Sequence, residues 1–157
     1  MTRTETTILV AALAGIALVF LSPSSAAALG SSAPSVTAGR AAAFLDFATA
    51  ISVAEGFGVP GKTPTIAHNP GDLILSGTTP TVFASDSDGW AALYHQLDLI
   101  ANGTGAKYGY TVAMTIAQMA RVWTATEPDN WAANVANTLQ SQGYTASVDA
   151  PIGQWLS

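Results

Sequence analysis

Two glutamates stand in the body of the chain, Glu55 and Glu127, and the first has the setting of a chemical group. Phe44, Phe47, Ala48, Ile51 and Ala54 recur at helical spacing over residues 41–55, and Gly56 follows as a stop. Glu55 comes eleven residues after Phe44; at 100° per residue it lies within about 20° of Phe44, on the apolar stripe. Burial and the negative end of the helix dipole both favour the neutral carboxyl and push its pKa upward. A carboxylic acid that keeps its proton near neutral pH can serve as a general acid, as glycosidic cleavage requires. The alternative for Glu55 is a surface position, in solvent or paired with Arg40 or Lys62.

Thirteen residues on, His68-Asn69-Pro70-Gly71-Asp72 carries a strong turn signal in its Asn-Pro-Gly core. Such a turn either aims Asn69 and nearby backbone groups into a cleft or simply reverses the chain. His68 and His95 with Asp72 match no metal-ligand spacing. Ser85, His95 and Asp98 have the residue types of a nucleophilic triad without a nucleophile elbow. No metal and no cofactor are expected.

These groups must be held by a small framework. Gly58, Pro60, Gly61, Pro64, Asn69, Pro70, Gly71, Gly77 and Pro80 leave no room for a long helix between residues 56 and 81, and residues 73–75 and 81–84 are candidate strands. Asp88 or Ser87 can cap a helix through Trp90, Leu93, Tyr94, Leu97 and Ile100, which Gly103 ends. A loop over residues 102–111 leads to Thr115, an N-cap for a helix with Ile116, Met119, Ala120 and Trp123. Pro128 suits the first turn of a last helix through Trp131, Val135 and Leu139. Trp90, Trp123 and Trp131 fall at core spacing and are assigned to packing. The expected fold is α+β and mostly α: one helix, a Gly/Pro-rich β-like region, then three helices, over residues 40–140. Residues 141–157 read as an irregular tail with an apolar end at Ile152 and Trp155.

The chain has 157 residues, 49% of them hydrophobic and 10% charged, so it is built to bury surface. A net charge of -5 with no basic run excludes nucleic acid as a natural partner, and the absence of cysteine removes disulfides, thiolate metal sites and Cys nucleophiles. Arg3, the apolar residues 8–21, Pro23 and the Ala26-x-Ala28 site have the layout of a secretory signal peptide covering residues 1–28. Cleavage there makes the protein secreted or periplasmic. Retention would make the same segment a membrane tether, since its flanks extend it to about 20 residues. Residues 29–39 are small and polar enough for a linker.

Ala54-Glu55-Gly56-Phe57, Val59-Pro60-Gly61, Asn69-Pro70-Gly71-Asp72-Leu73, Phe83 and Gly89-Trp90-x-Ala92-Leu93, with the later Met114-Thr115-Ile116 and Trp131-Ala132-x-Asn134-Val135, resemble the lysozyme-like domains of bacterial and phage virion-associated muramidases and lytic transglycosylases. The resemblance covers about residues 44–139. It implies that Glu55 is the catalytic acid acting between N-acetylmuramic acid and N-acetylglucosamine, and that Asn69, Gly71 and Asp72 line the sugar cleft. Tyr94, Tyr108 and Tyr110 are the candidates for stacking on sugar rings. Two positions depart from the family: His68 replaces a common Asn, and Gly56 a common small polar residue.

The implied partner is the peptidoglycan glycan strand. Asp72, Asp86 and Asp88 are open candidates for a second carboxylate, which separates a hydrolase from a transglycosylase; with one glutamate and no assured second acid, a lytic transglycosylase fits better, the muramyl 6-hydroxyl attacking while Glu55 acts as acid and then base. The alternative is a non-catalytic relative, a glycan-binding or structural subunit of an envelope or virion assembly. Low charge and the apolar tail favour partner contacts, including a homo-oligomer.

Overall fold

The computed structural model describes residues 36–157; the leader assigned to residues 1–28 and most of the linker lie outside the described residues. Among the described residues no helix is long and apolar enough to cross a membrane. The architecture is mostly helical, with α1 (Val36–Glu55), α2 (Thr63–Ile66), α3 (Asp86–Ala101), α4 (Ile116–Trp123), α5 (Pro128–Ser141) and α6 (Gly153–Leu156) in chain order, and a 3-10 turn at Thr104–Tyr108.

Helix α1 starts before residue 40, because an alanine-rich first half propagates a helix without needing an apolar stripe. Its second half is central to the core, with Phe47, Ala48, Ala50 and Ile51 all 0% exposed. It ends in a Schellman cap: Gly56 takes φ +81°, its N–H donates to the Val53 carbonyl at 3.0 Å, and the Phe57 N–H reaches Ser52 at 2.9 Å. This is why glycine, rather than a residue with a polar side chain, follows Glu55.

Ser85, not Ser87 or Asp88, caps α3, its hydroxyl accepting from the Asp88 N–H at 3.2 Å and donating to the Asp88 carboxylate at 2.7 Å. Thr115 caps α4 in a full capping box with Gln118.

The expected strands at residues 73–75 and 81–84 do not form a ladder. One backbone bond joins them, Thr81 N–H to the Leu73 carbonyl at 2.8 Å; the Asn69 side chain, the Thr81 hydroxyl and the Ala67 carbonyl supply further partners. The turn itself is tight, with Asp72 N–H donating to the Asn69 carbonyl at 3.0 Å. It lies flat against α3 because two glycines permit the approach. A Cβ on Gly89 would stand 1.8 Å from the His68 carbonyl oxygen, and one on Gly71 would stand 2.9 Å from Leu93 Cδ1. Gly89→Ala is therefore expected to lower unfolding free energy by at least about 2 kcal/mol, measurable as a fall in the urea midpoint. An unchanged midpoint would mean that the turn does not rest on α3.

The C-terminal segment is not an irregular appendage. Ile152, Trp155 and Leu156 are buried, and Trp155 stacks on Phe47 with centroids 5.4 Å apart and planes 5° from parallel. Backbone bonds from Ile116 to Ala150, Ala117 to Val148 and Ile152 to Met114 tie it to the start of α4. Its apolar end completes the core and so is not a free partner surface.

Candidate functional site

Glu55, the last residue of α1, turns inward rather than pairing with Arg40 or Lys62. Its Oε1 accepts two indole N–H groups, from Trp131 at 2.7 Å and Trp123 at 3.0 Å. Trp131 is the fourth residue of α5 and Trp123 the last of α4, so the junction of these helices fixes both donors. Their rings lie 6.1 Å apart, and Tyr110 meets Trp123 edge-on at 6.0 Å.

Burial pushes the Glu55 carboxyl from 4.5 up to about 7; the neighbouring charge of Asp72 adds to the rise, while the two indole bonds oppose it. The other oxygen, Oε2, receives no hydrogen bond among the described residues and is not one of the buried orphan oxygens, which are Asp72 Oδ1 and Gln142 Oε1. With Oε1 occupied by two donors, Oε2 is the oxygen left to carry the proton.

Two neighbours of this carboxyl reach a cavity of about 510 Å³, whose wall does not include Glu55 itself. Asp72 and Trp123, the residues that act on Glu55 by charge and by hydrogen bond, both line it. Of the residues expected to meet a substrate, Gly71, Asp72, Tyr108 and Tyr110 share this wall. Tyr110 is buried to 8% exposure and burial pushes its phenol up to about 12, so it stays a neutral hydroxyl donor. Tyr108 is exposed, with Lys107 Nζ 4.7 Å from its ring centroid. His95 and Gln96 add polar groups, and Ile74, Leu75, Leu99 and Val122 add apolar ones.

Two expected contacts are corrected. Asn69 does not face the cleft: it is 0% exposed, accepts from the Leu73 N–H at 2.8 Å, and donates to the Leu73 and Thr81 carbonyls, both at 2.9 Å. Its amide takes the place of a neighbouring strand and thereby positions Asp72. Asn69→Ala would strand the Leu73 N–H and the Thr81 carbonyl, while the Leu73 carbonyl keeps the Thr81 N–H, and is expected to cost about 2 kcal/mol, read by chemical denaturation; a neutral result would require the 69–81 segment to be held by other bonds. Tyr94 lies outside the cavity, packed between Phe44 and Trp90 at centroid distances of 6.2 and 5.6 Å.

His68 has its own task in place of the Asn common in the resembled family. Its Nδ1 meets Asp86 Oδ1 at 2.6 Å and ties the turn to the first residue of α3. Trp131 lies in the core and Trp123 packs against it, as their spacing predicts, and in addition their indole N–H groups hold Glu55, a contact that periodicity does not show. The signal for them was chemical: a buried indole needs an acceptor, a buried glutamate needs a donor, and the chain offers only five Lys and Arg. Compared with family models, curated proteins and solved structures, the chain finds no match in any of the three.

Proposed function

We propose that the protein cleaves the glycan strands of peptidoglycan, with Glu55 as general acid in a lysozyme-like domain. The observation that carries this reading is the Glu55 carboxyl itself: one oxygen held by two indoles, the other left to bear a proton near neutral pH, with two of its neighbours, Asp72 and Trp123, on the wall of a cavity lined by aromatic, apolar and polar side chains. Sugar rings offer apolar faces for Tyr108 and Trp123 and hydroxyl and amide groups for Asp72, His95, Gln96 and Tyr110. Glu55 protonates the glycosidic oxygen as positive charge develops at the anomeric carbon. The two indoles hold the carboxyl in place and, after proton transfer, stabilise the carboxylate that remains. The leader in residues 1–28 fits delivery to the cell wall, by secretion or on a membrane tether.

The test is incubation of the protein with purified peptidoglycan, following turbidity and identifying soluble fragments by mass spectrometry, beside Glu55→Gln. Glu55-dependent release of muropeptides supports the proposal. Folded protein that binds the polymer without releasing fragments would move the reading to a glycan-binding or structural subunit.

A further inference from the structure

Among the carboxylates left open by sequence, the geometry singles out one. Asp86 is paired with His68 at 2.6 Å and Asp88 with Ser85 at 2.7 Å, both at the exposed start of α3. Asp46 receives the Tyr144 hydroxyl at 2.7 Å, and Asp98 the Asn102 amide at 3.4 Å. Asp72 differs from all of these. Among the described residues its Oδ1 is buried with no hydrogen-bond partner and no group donates to Oδ2; its backbone at φ +46° is a left-handed conformation that aspartate tolerates and that His68 and Glu127 share. It lines the cavity, and its charge acts on Glu55.

An orphaned buried carboxylate oxygen destabilises a fold, and in a residue that also lines the cavity it points to a task outside folding. We propose that Asp72 is the second carboxylate of the reaction, taking a proton from the water that attacks the anomeric carbon, so that the cleavage is hydrolytic; this rests on the glycan-cleaving reading above. An underpartnered carboxylate is a stronger base than a solvated one, and burial pushes the Asp72 carboxyl up in the same sense. Glu55, the more deeply buried of the two, retains the proton when the pair holds one.

The step balances with water as its sole co-reactant. Glu55 gives the Oε2 proton to the glycosidic oxygen as the bond from the anomeric carbon to that oxygen breaks, its electron pair staying on the oxygen. The water oxygen forms the new bond to carbon and passes one proton to Asp72 Oδ2. Glu55 is left ionised and Asp72 protonated, and transfer of that proton through solvent restores the starting pair.

The experiment digests purified peptidoglycan in ¹⁸O-labelled water with the wild-type chain, Glu55→Gln, Asp72→Asn and Asp72→Ala, the last also with sodium azide. Wild-type fragments are expected to carry reducing muramyl ends with one ¹⁸O. Asp72→Asn is expected to lose about 100-fold or more in kcat with KM little changed, and azide is expected to restore turnover in Asp72→Ala as a glycosyl azide. The labelled-water result reads the wild-type protein and is independent of how the variants fold. Anhydro-muramyl ends without ¹⁸O would overturn the assignment of Asp72, as would full turnover by Asp72→Asn beside an inactive Glu55→Gln, and both leave Glu55 as the acid. Absence of any soluble fragment from the wild-type chain would overturn both readings together.

Discussion

Glu55→Gln is expected to slow the clearing of purified peptidoglycan by about 10²- to 10⁴-fold, the range a positioned general acid supplies. The variant is a narrow one. Glutamine keeps a carbonyl oxygen where Oε1 now accepts from Trp123 and Trp131, so both indole bonds survive and only the transferable proton disappears. The near-UV circular dichroism spectrum, dominated by aromatic packing, should therefore be that of the parent. The wild-type rate should fall as pH rises through about 7, where Glu55 loses its proton. Clearing within tenfold of wild type by folded Glu55→Gln would place the acid elsewhere.

Stability in the same variant is expected to move in the opposite direction, and only at high pH. Glu55 titrates near 4.5 in an unfolded chain and at about 7 in the folded one. Between those values the folded protein holds a proton that the unfolded chain has released, so wild-type stability falls as pH rises through that window. Below it, both states are protonated and the extra proton affinity of the fold contributes in full. By pH 8 that contribution is gone, a loss of about 3 kcal/mol. Glutamine never ionises, so Glu55→Gln should melt roughly 10 °C above wild type at pH 8 and level with it at pH 4. Differential scanning calorimetry at the two pH values checks this. A difference that does not change with pH would mean that Glu55 ionises in the fold as freely as in water.

The helices were legible where periodicity and caps agree. Phe44, Phe47 and Ile51 marked α1, Thr115 marked the start of α4, and Gly56 and Gly103, both at positive φ, marked stops. The turn region was harder for a specific reason. Residues 73–84 have the composition of strands, but whether a ladder forms depends on what lies alongside, and here a side-chain amide from Asn69 does. A buried asparagine that replaces a strand and one that lines a cleft have the same sequence signature. The C-terminal segment was illegible because Ala146, Ile152 and Trp155 follow no period, and their burial comes from distant elements such as Phe47.

Within the site, Glu55 could be placed because its own helix puts it on the apolar side. Its donors lie 68 and 76 residues away, beyond any local pattern. Tyr94 and Tyr110 were indistinguishable as aromatic residues near glycines. The cavity separates them, since Tyr110 lines it while Tyr94 is held between Phe44 and Trp90.

Helix α1 packs chiefly on α5 and α6, which follow it only after the turn region, α3 and α4. Closing so long a loop is entropically slow compared with forming a neighbouring helix pair, so the union of Glu55 with Trp131 belongs to the late part of folding. Until that union, Glu55 is an ordinary carboxylate with an ordinary affinity for protons. The raised proton affinity is thus not carried by the glutamate alone but assembled by topology.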